Sequence, residues 1–116
     1  MANDLQTLTQ SLRDFAAARE WEQFHSPKNL AMALSVEAAE LLEHFQWLTE
    51  AQSRQLSADK TAHVAAEAAD VLLYLLQLAD KLGIDLIEAA HAKLIVNGQK
   101  YPVALAHGSS KKYSEL

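Results

Sequence analysis

A chain of 116 residues fits a single domain, 1–116, and leaves no room for two independent cores. Half of the residues are hydrophobic and 22% are charged, which excludes a disordered segment; a formal net charge of −5, with Lys111 and Lys112 as the one adjacent basic pair, excludes general binding to polymeric nucleic acid. The lack of cysteine excludes a disulfide framework, a thiolate metal site and a thiol nucleophile.

Ala and Leu supply 40 residues and Val, Ile and Thr only 12, so the composition predicts an all-α fold. Leu5, Leu8, Leu12 and Phe15 recur at spacings of three and four, which predicts an amphipathic helix over residues 3–21. Ser26-Pro27 is a start signal, because the hydroxyl caps free amides and proline's fixed φ suits the first helical position. A second helix then runs to about residue 48 on the stripe Leu30, Leu34, Leu41, Phe45 and Leu48. Residues 49–57 read as a polar connection, and Ser57 or Asp59 caps a third helix over 58–82 that Gly83 closes. That helix is apolar over most of its circumference around Leu72, Leu73 and Leu76, which predicts subunit contact. Asp85 and Glu88 have the capping spacing for a short fourth helix over 86–97, and residues 103–116 read as an irregular tail. The short connection makes the second and third helices antiparallel neighbours. Residues 1–10 lack the pattern of a signal peptide, and the apolar run 71–76 is too short to span a bilayer. The expectation is a soluble, cytoplasmic protein with no membrane partner.

Glu37-Ala-Ala-Glu40 on the second helix and Glu67-Ala-Ala-Asp70 on the third are acidic pairs at i,i+3, so each pair points its carboxylates the same way. Glu37 and Glu67 fall at the edge of their helices' apolar stripes, and antiparallel packing can gather all four groups. Four converging carboxylates need protons or cations to offset repulsion and desolvation. An all-oxygen set matches Mg²⁺, or Mn²⁺, better than Zn²⁺, and magnesium leaves room for substrate phosphate. Either pair alone also fits plain solvated surface. Glu43 lies nearly opposite the core and is read as exposed.

Trp21, Phe24, His25 and Trp47 bracket the second helix, and Tyr74 follows Asp70 by one turn. Aromatic groups stack on a base; they equally serve as packing. Lys93 and Asn97, four apart on the fourth helix, put a cation and an amide on one face, suited to phosphate and sugar or simply to water.

On these residues the chain resembles the all-α nucleoside triphosphate pyrophosphohydrolases, the MazG-like superfamily, whose signature is two acidic residues at i,i+3, a spacer and a Glu-x-x-Asp. Glu37, Glu40, Glu67 and Asp70 fit it, with 26 residues between the pairs. Trp21-Glu22-Gln23-Phe24-His25, Pro27-Lys28-Asn29-Leu30, Phe45-Gln46-Trp47, Lys93 to Pro102 and the tail Ser109 to Leu116 resemble its dCTP-hydrolysing branch. The resemblance implies a four-helix subunit in a helical-bundle oligomer, a homotetramer, that hydrolyses dCTP and base-modified analogues to the monophosphate and pyrophosphate with Mg²⁺. It implies metal binding by Glu37, Glu40, Glu67 and Asp70, with Glu37 or Glu40 handling the attacking water. By the same resemblance Trp21, His25 and Trp47 shape the base pocket, and Tyr74, Lys93 and Asn97 contact sugar or phosphate. Leu12 departs from a histidine of the animal enzymes, which separates base preference from metal chemistry. Two other functions stay open: a pyrophosphohydrolase for other nucleotides such as dUTP, and a non-enzymatic helical oligomerisation module.

Overall fold

The computed structural model describes residues 4–116, and among these all regular structure is helical. The helices are α1 (Asp4–Ala18), α2 (Pro27–Glu43), α3 (Glu50–Ser53), α4 (Ala58–Leu82), α5 (Leu86–Lys100) and α6 (Val103–Ala106), with 3₁₀ turns at Glu22–Phe24 and Tyr113–Glu115. The chain divides between Gly83 and Ile84 into two compact units.

In the first unit α4 packs along α2 and, less extensively, along α1. The α2–α4 pair is antiparallel, since Glu37 lies by Glu67 and Asp70 while His44, further along α2, lies by His63, further back on α4. Leu30, Leu76, Ala79 and Ala16 form the buried centre where the three helices meet, with Leu30 only 1% exposed. Alanine at two of these positions allows close approach of the helix backbones.

Local chemistry sets the boundaries. Ser26 Oγ accepts from the Asn29 amide at 3.1 Å, and Asn29 Nδ2 donates to the Phe24 carbonyl at 3.0 Å, which ties the start of α2 to the preceding turn. Of the two expected caps of α4, Ser57 holds the position and accepts from the Lys60 amide. Gly83 closes α4 at φ 67°, in the left-handed region that favours glycine. Asp85 caps α5 by accepting from the Glu88 amide at 3.0 Å.

Five expectations need correction. The first helix stops at Ala18 rather than residue 21: Glu20 turns left-handed at φ 54° and the Trp21 amide donates back to the Ala16 carbonyl. Its expected start, Asn3, lies outside the described residues. The second helix ends at Glu43 rather than near residue 48, with the Phe45 amide bonded to the Leu42 carbonyl and Leu48 to Phe45 in tight turns. Residues 49–57 are not wholly irregular. Thr49 and Gln52 exchange bonds as a capping box and start the single turn α3, which is too short to leave an apolar period. The fourth helix passes through Asn97 and Gly98 to Lys100, because a helical interior tolerates one glycine at a cost of about 1 kcal/mol, and Pro102 is the effective stop. The tail, likewise, holds α6 and a 3₁₀ turn, and the Tyr113 ring meets Tyr101 edge-on at 6.1 Å beneath the Lys100 ammonium.

The helix α4 is long and apolar enough to cross a membrane by length and composition, which the short run 71–76 did not suggest. Its midpoint carries Glu67 and Asp70, and two other helices pack along it, as around a central bundle helix.

Candidate functional site

Antiparallel packing of α2 on α4 draws together groups 30 residues apart in sequence. One carboxylate oxygen from each of Glu37, Glu67 and Asp70 lies within 4.8 Å of the others. Glu40, one turn after Glu37, stands close enough to raise the Glu37 carboxyl but does not join that triangle. The structure thus gathers three of the four expected metal ligands and sets the fourth beside them.

Glu37 and Glu67 are half-buried, and Oε2 of each is sealed from solvent with no hydrogen-bond partner among the described residues. Buried carboxylate oxygens without donors are costly, so both ask for a proton or a cation. Burial, then the hydrogen bond to Glu40, then repulsion by Glu40, Asp70 and Glu67 push the Glu37 carboxyl up to about 7. Three clustered carboxylates, two of them with an orphaned buried oxygen, suit a hard divalent ion. Asp70 is the exposed member and opens the cluster to solvent on one side. Glu43 is exposed, as its position opposite the core requires.

The other expected site residues divide. Tyr74 is half-buried one turn beyond Asp70 on α4. His25 is half-buried after the first 3₁₀ turn, with the Trp21 ring edge-on to it at 6.4 Å and Phe15 edge-on to Trp21 at 5.7 Å. Trp47 is 87% exposed and meets no ring among the described residues. Lys93 and Asn97 are exposed on α5, in the second unit.

A cavity of about 280 Å³ lies in the first unit between α1, the Glu22–Phe24 turn and the C-terminal half of α4. Its walls are Thr9, Leu12, Arg13, Ala16, Glu22, His25, Gln77, Asp80 and Lys81. On one side Arg13 Nε donates to Asp80 Oδ2 at 2.8 Å and Nη2 to Oδ1, a two-pronged pair. Hydrogen bonding to Arg13 holds the Asp80 carboxyl below its ordinary range, and the same bond raises the guanidinium. Neither this pair nor Gln77 was among the expected site residues. Gln77 does carry a signal in the sequence: Asp70, Tyr74, Gln77 and Lys81 fall at i, i+4, i+7 and i+11, one face of one helix.

The sequence profile of the MazG-like family matches residues 32–116. The chain is 45% identical over 105 residues to dCTP pyrophosphatase 1 of Homo sapiens and 45% identical to dCTP pyrophosphatase 1 of Mus musculus, covering 89% of this chain in both cases. It spans 62% of the length of those relatives. The crystal structure of a pyrophosphatase from Archaeoglobus fulgidus superposes with a TM-score of 0.74 at 40% identity, covering 88% of this chain and 95% of that one.

Proposed function

The chain belongs to the MazG-like family, and on that premise we propose that it is a nucleoside triphosphate pyrophosphohydrolase that converts dCTP, and base-modified deoxycytidine triphosphates, to the monophosphate and pyrophosphate. The observation that carries this reading is the convergence of Glu37, Glu67 and Asp70 with two orphaned buried oxygens. The names of the animal relatives supply the base, and the acidic cluster supplies the reason a polyphosphate is the substrate.

Glu37, Glu40, Glu67 and Asp70 would hold Mg²⁺, with Mn²⁺ the alternative. When bound, such an ion supplies charge neutralisation for the triphosphate and Lewis-acid polarisation. The chain's own part is proton handling. Either Glu37 or Glu40, adjacent on one face of α2 at the edge of the cluster, orients the attacking water and takes its proton. Tyr74, a turn from Asp70, faces the sugar and phosphates; for Lys93 and Asn97, exposed on α5, the family resemblance supports contacts to phosphate and sugar. Trp21 and His25 flank the base.

Trp47 is too exposed in one chain to form a pocket wall by itself, so its role in base binding rests on a homo-oligomer, taken to be a tetramer. Apolar exposure supports that assembly. Phe24, Val36, Leu42, Leu94, Ile95 and Val103 are all more than half exposed; isolated apolar side chains are ordinary on a surface, but so many on so small a chain mark interaction faces.

The test is a product assay over the common deoxynucleoside triphosphates with and without magnesium. The reading expects monophosphate and pyrophosphate from dCTP only when magnesium is present. Release of single orthophosphate would contradict the reading; no turnover, together with unchanged metal binding after Glu40→Gln and Asp70→Asn, would leave the helical-module alternative standing.

A further inference from the structure

Within the cavity between α1 and α4, three of the seven polar side chains are already committed. Arg13 and Asp80 bind each other, and the Thr9 hydroxyl donates to the Leu5 carbonyl at 2.7 Å. Gln77 is different. Its Nε2 donates to the Leu73 carbonyl at 3.2 Å, while Oε1 accepts no hydrogen bond among the described residues. An amide nitrogen carries two hydrogens, so one N–H and one free acceptor remain side by side. The backbone carbonyl fixes which end of the amide is nitrogen: turned over, Oε1 would confront the Leu73 oxygen, and a hydrogen bond would become a repulsion.

Gln77 also sits at a useful distance from the metal cluster. It lies on the same face of α4 as Asp70 and Tyr74, seven residues on from Asp70, about 10 Å along the axis. A sugar and its phosphates bridge such a span. The cavity, at about 280 Å³, is at the small end of ligand pockets, enough for a heterocycle whose charged chain stays outside. Leu12 and Ala16 give it an apolar wall.

We propose that Gln77 is a specificity-determining residue that reads the Watson–Crick edge of the base and selects a 4-amino pyrimidine over a 4-keto one. Cytosine presents an exocyclic N–H donor beside the N3 acceptor; Oε1 accepts from the first and the free Nε2 hydrogen donates to the second. Uracil presents the reverse, an acceptor at O4 beside an N3–H donor, so both contacts become like-to-like. Inversion of the amide, the usual escape, is opposed by the Leu73 carbonyl. This assignment rests on the proposed pyrophosphohydrolase reading and names the group that gives it base preference where Leu12 offers no polar atom.

The decisive measurement is the ratio of kcat/KM for dCTP to that for dUTP, in the native chain and in Gln77→Met, which keeps the side-chain volume and removes both polar contacts. A loss of paired hydrogen bonds in a site built for them is worth at least tenfold in discrimination. The expected result is a native preference for dCTP that falls fivefold or more in Gln77→Met. A smaller change overturns the assignment while leaving the pyrophosphohydrolase reading intact. A native chain that yields no monophosphate from any triphosphate overturns both. Should Gln77→Met fail to fold, as circular dichroism reports, the native chain is assayed with the 2-pyrimidinone triphosphate, which lacks the exocyclic amine. A fivefold or greater loss relative to dCTP supports the assignment, and equal turnover defeats it.

Discussion

Near the C-terminal end of α4, Asp80 faces the Arg13 guanidinium of α1; about three turns earlier, Glu67 and Asp70 face the Glu37 carboxyl of α2. Both places put carboxylates of one helix against a neighbouring helix. At Asp80 an opposite charge with two aligned donors meets the carboxylate, which is held in its ionised form. At the middle of α4 no cationic group among the described residues is paired with the carboxylates, two oxygens are buried without donors, and Glu37 retains a proton to about 7. The first arrangement is complete and structural. The second has unbalanced negative charge, and that imbalance distinguishes a binding site from an ion pair more sharply than the number of acidic residues does.

The largest effect separating the two regions is on turnover. Asp70→Asn or Glu67→Gln is expected to lower magnesium-dependent formation of pyrophosphate by on the order of 100-fold, because each removes a charged ligand from a cluster of three. Turnover within a few-fold of the native chain would place the chemistry elsewhere.

Next comes the pH dependence of metal binding. Glu37 must lose its proton to bind a cation, so magnesium affinity is expected to rise as pH increases toward 7, by about tenfold per unit for one proton released, and to level off above it. Calorimetry across pH 5.5 to 8 reads this directly; a flat profile would mean that Glu37 is not a ligand.

The stability effects are smaller and opposite in sign at the two sites. Glu37 has a raised folded-state value, so its contribution is fully present below its ordinary value of 4.5 and is lost as pH rises through about 7. In the metal-free protein, Glu37→Gln is therefore expected to raise Tm at pH 8 by about 2–5 °C and to change it little at pH 5. Magnesium should raise the Tm of the native chain at pH 8 and do much less for the variant.

The smallest effect belongs to the ion pair. Asp80 has a depressed value, so its contribution is present above the ordinary carboxylate range and is lost as pH falls through the depressed value. Asp80→Asn should lower Tm by a few degrees at most at pH 7, less in high salt, since Arg13 is half exposed. Magnesium affinity should stay within twofold; a larger change would couple the two regions.

Helix positions were legible wherever the chain carries a chemical punctuation mark. Ser26-Pro27, Ser57 and Gly83 fixed three ends, because capping is local. Where no such mark stands, apolar periodicity overran: it carried the second helix to residue 48, since Phe45 and Leu48 still turn inward from tight turns that imitate helical spacing. The fourth helix was expected to end at residue 97, and the Gly98 backbone continues it. Within the candidate site, the acidic pairs were legible because an i,i+3 repeat forces two groups to one face. The Arg13–Asp80 pair was not, because its members lie on different helices and no spacing announces their contact; Gln77 shares a face with Asp70 and Tyr74, but only packing decides that this face lines the cavity.

The sequence by itself determined that the chain is helical and which carboxylates share a face, since both follow from backbone periodicity and end capping within a few residues. Only the tertiary structure decided that Glu37, Glu67 and Asp70 meet within 4.8 Å while Glu40 stands beside them, and that two of their oxygens are sealed from water. Convergence and desolvation depend on the register and separation of two packed helices. Side-chain volumes along the whole interface set these together, and no residue sets them alone.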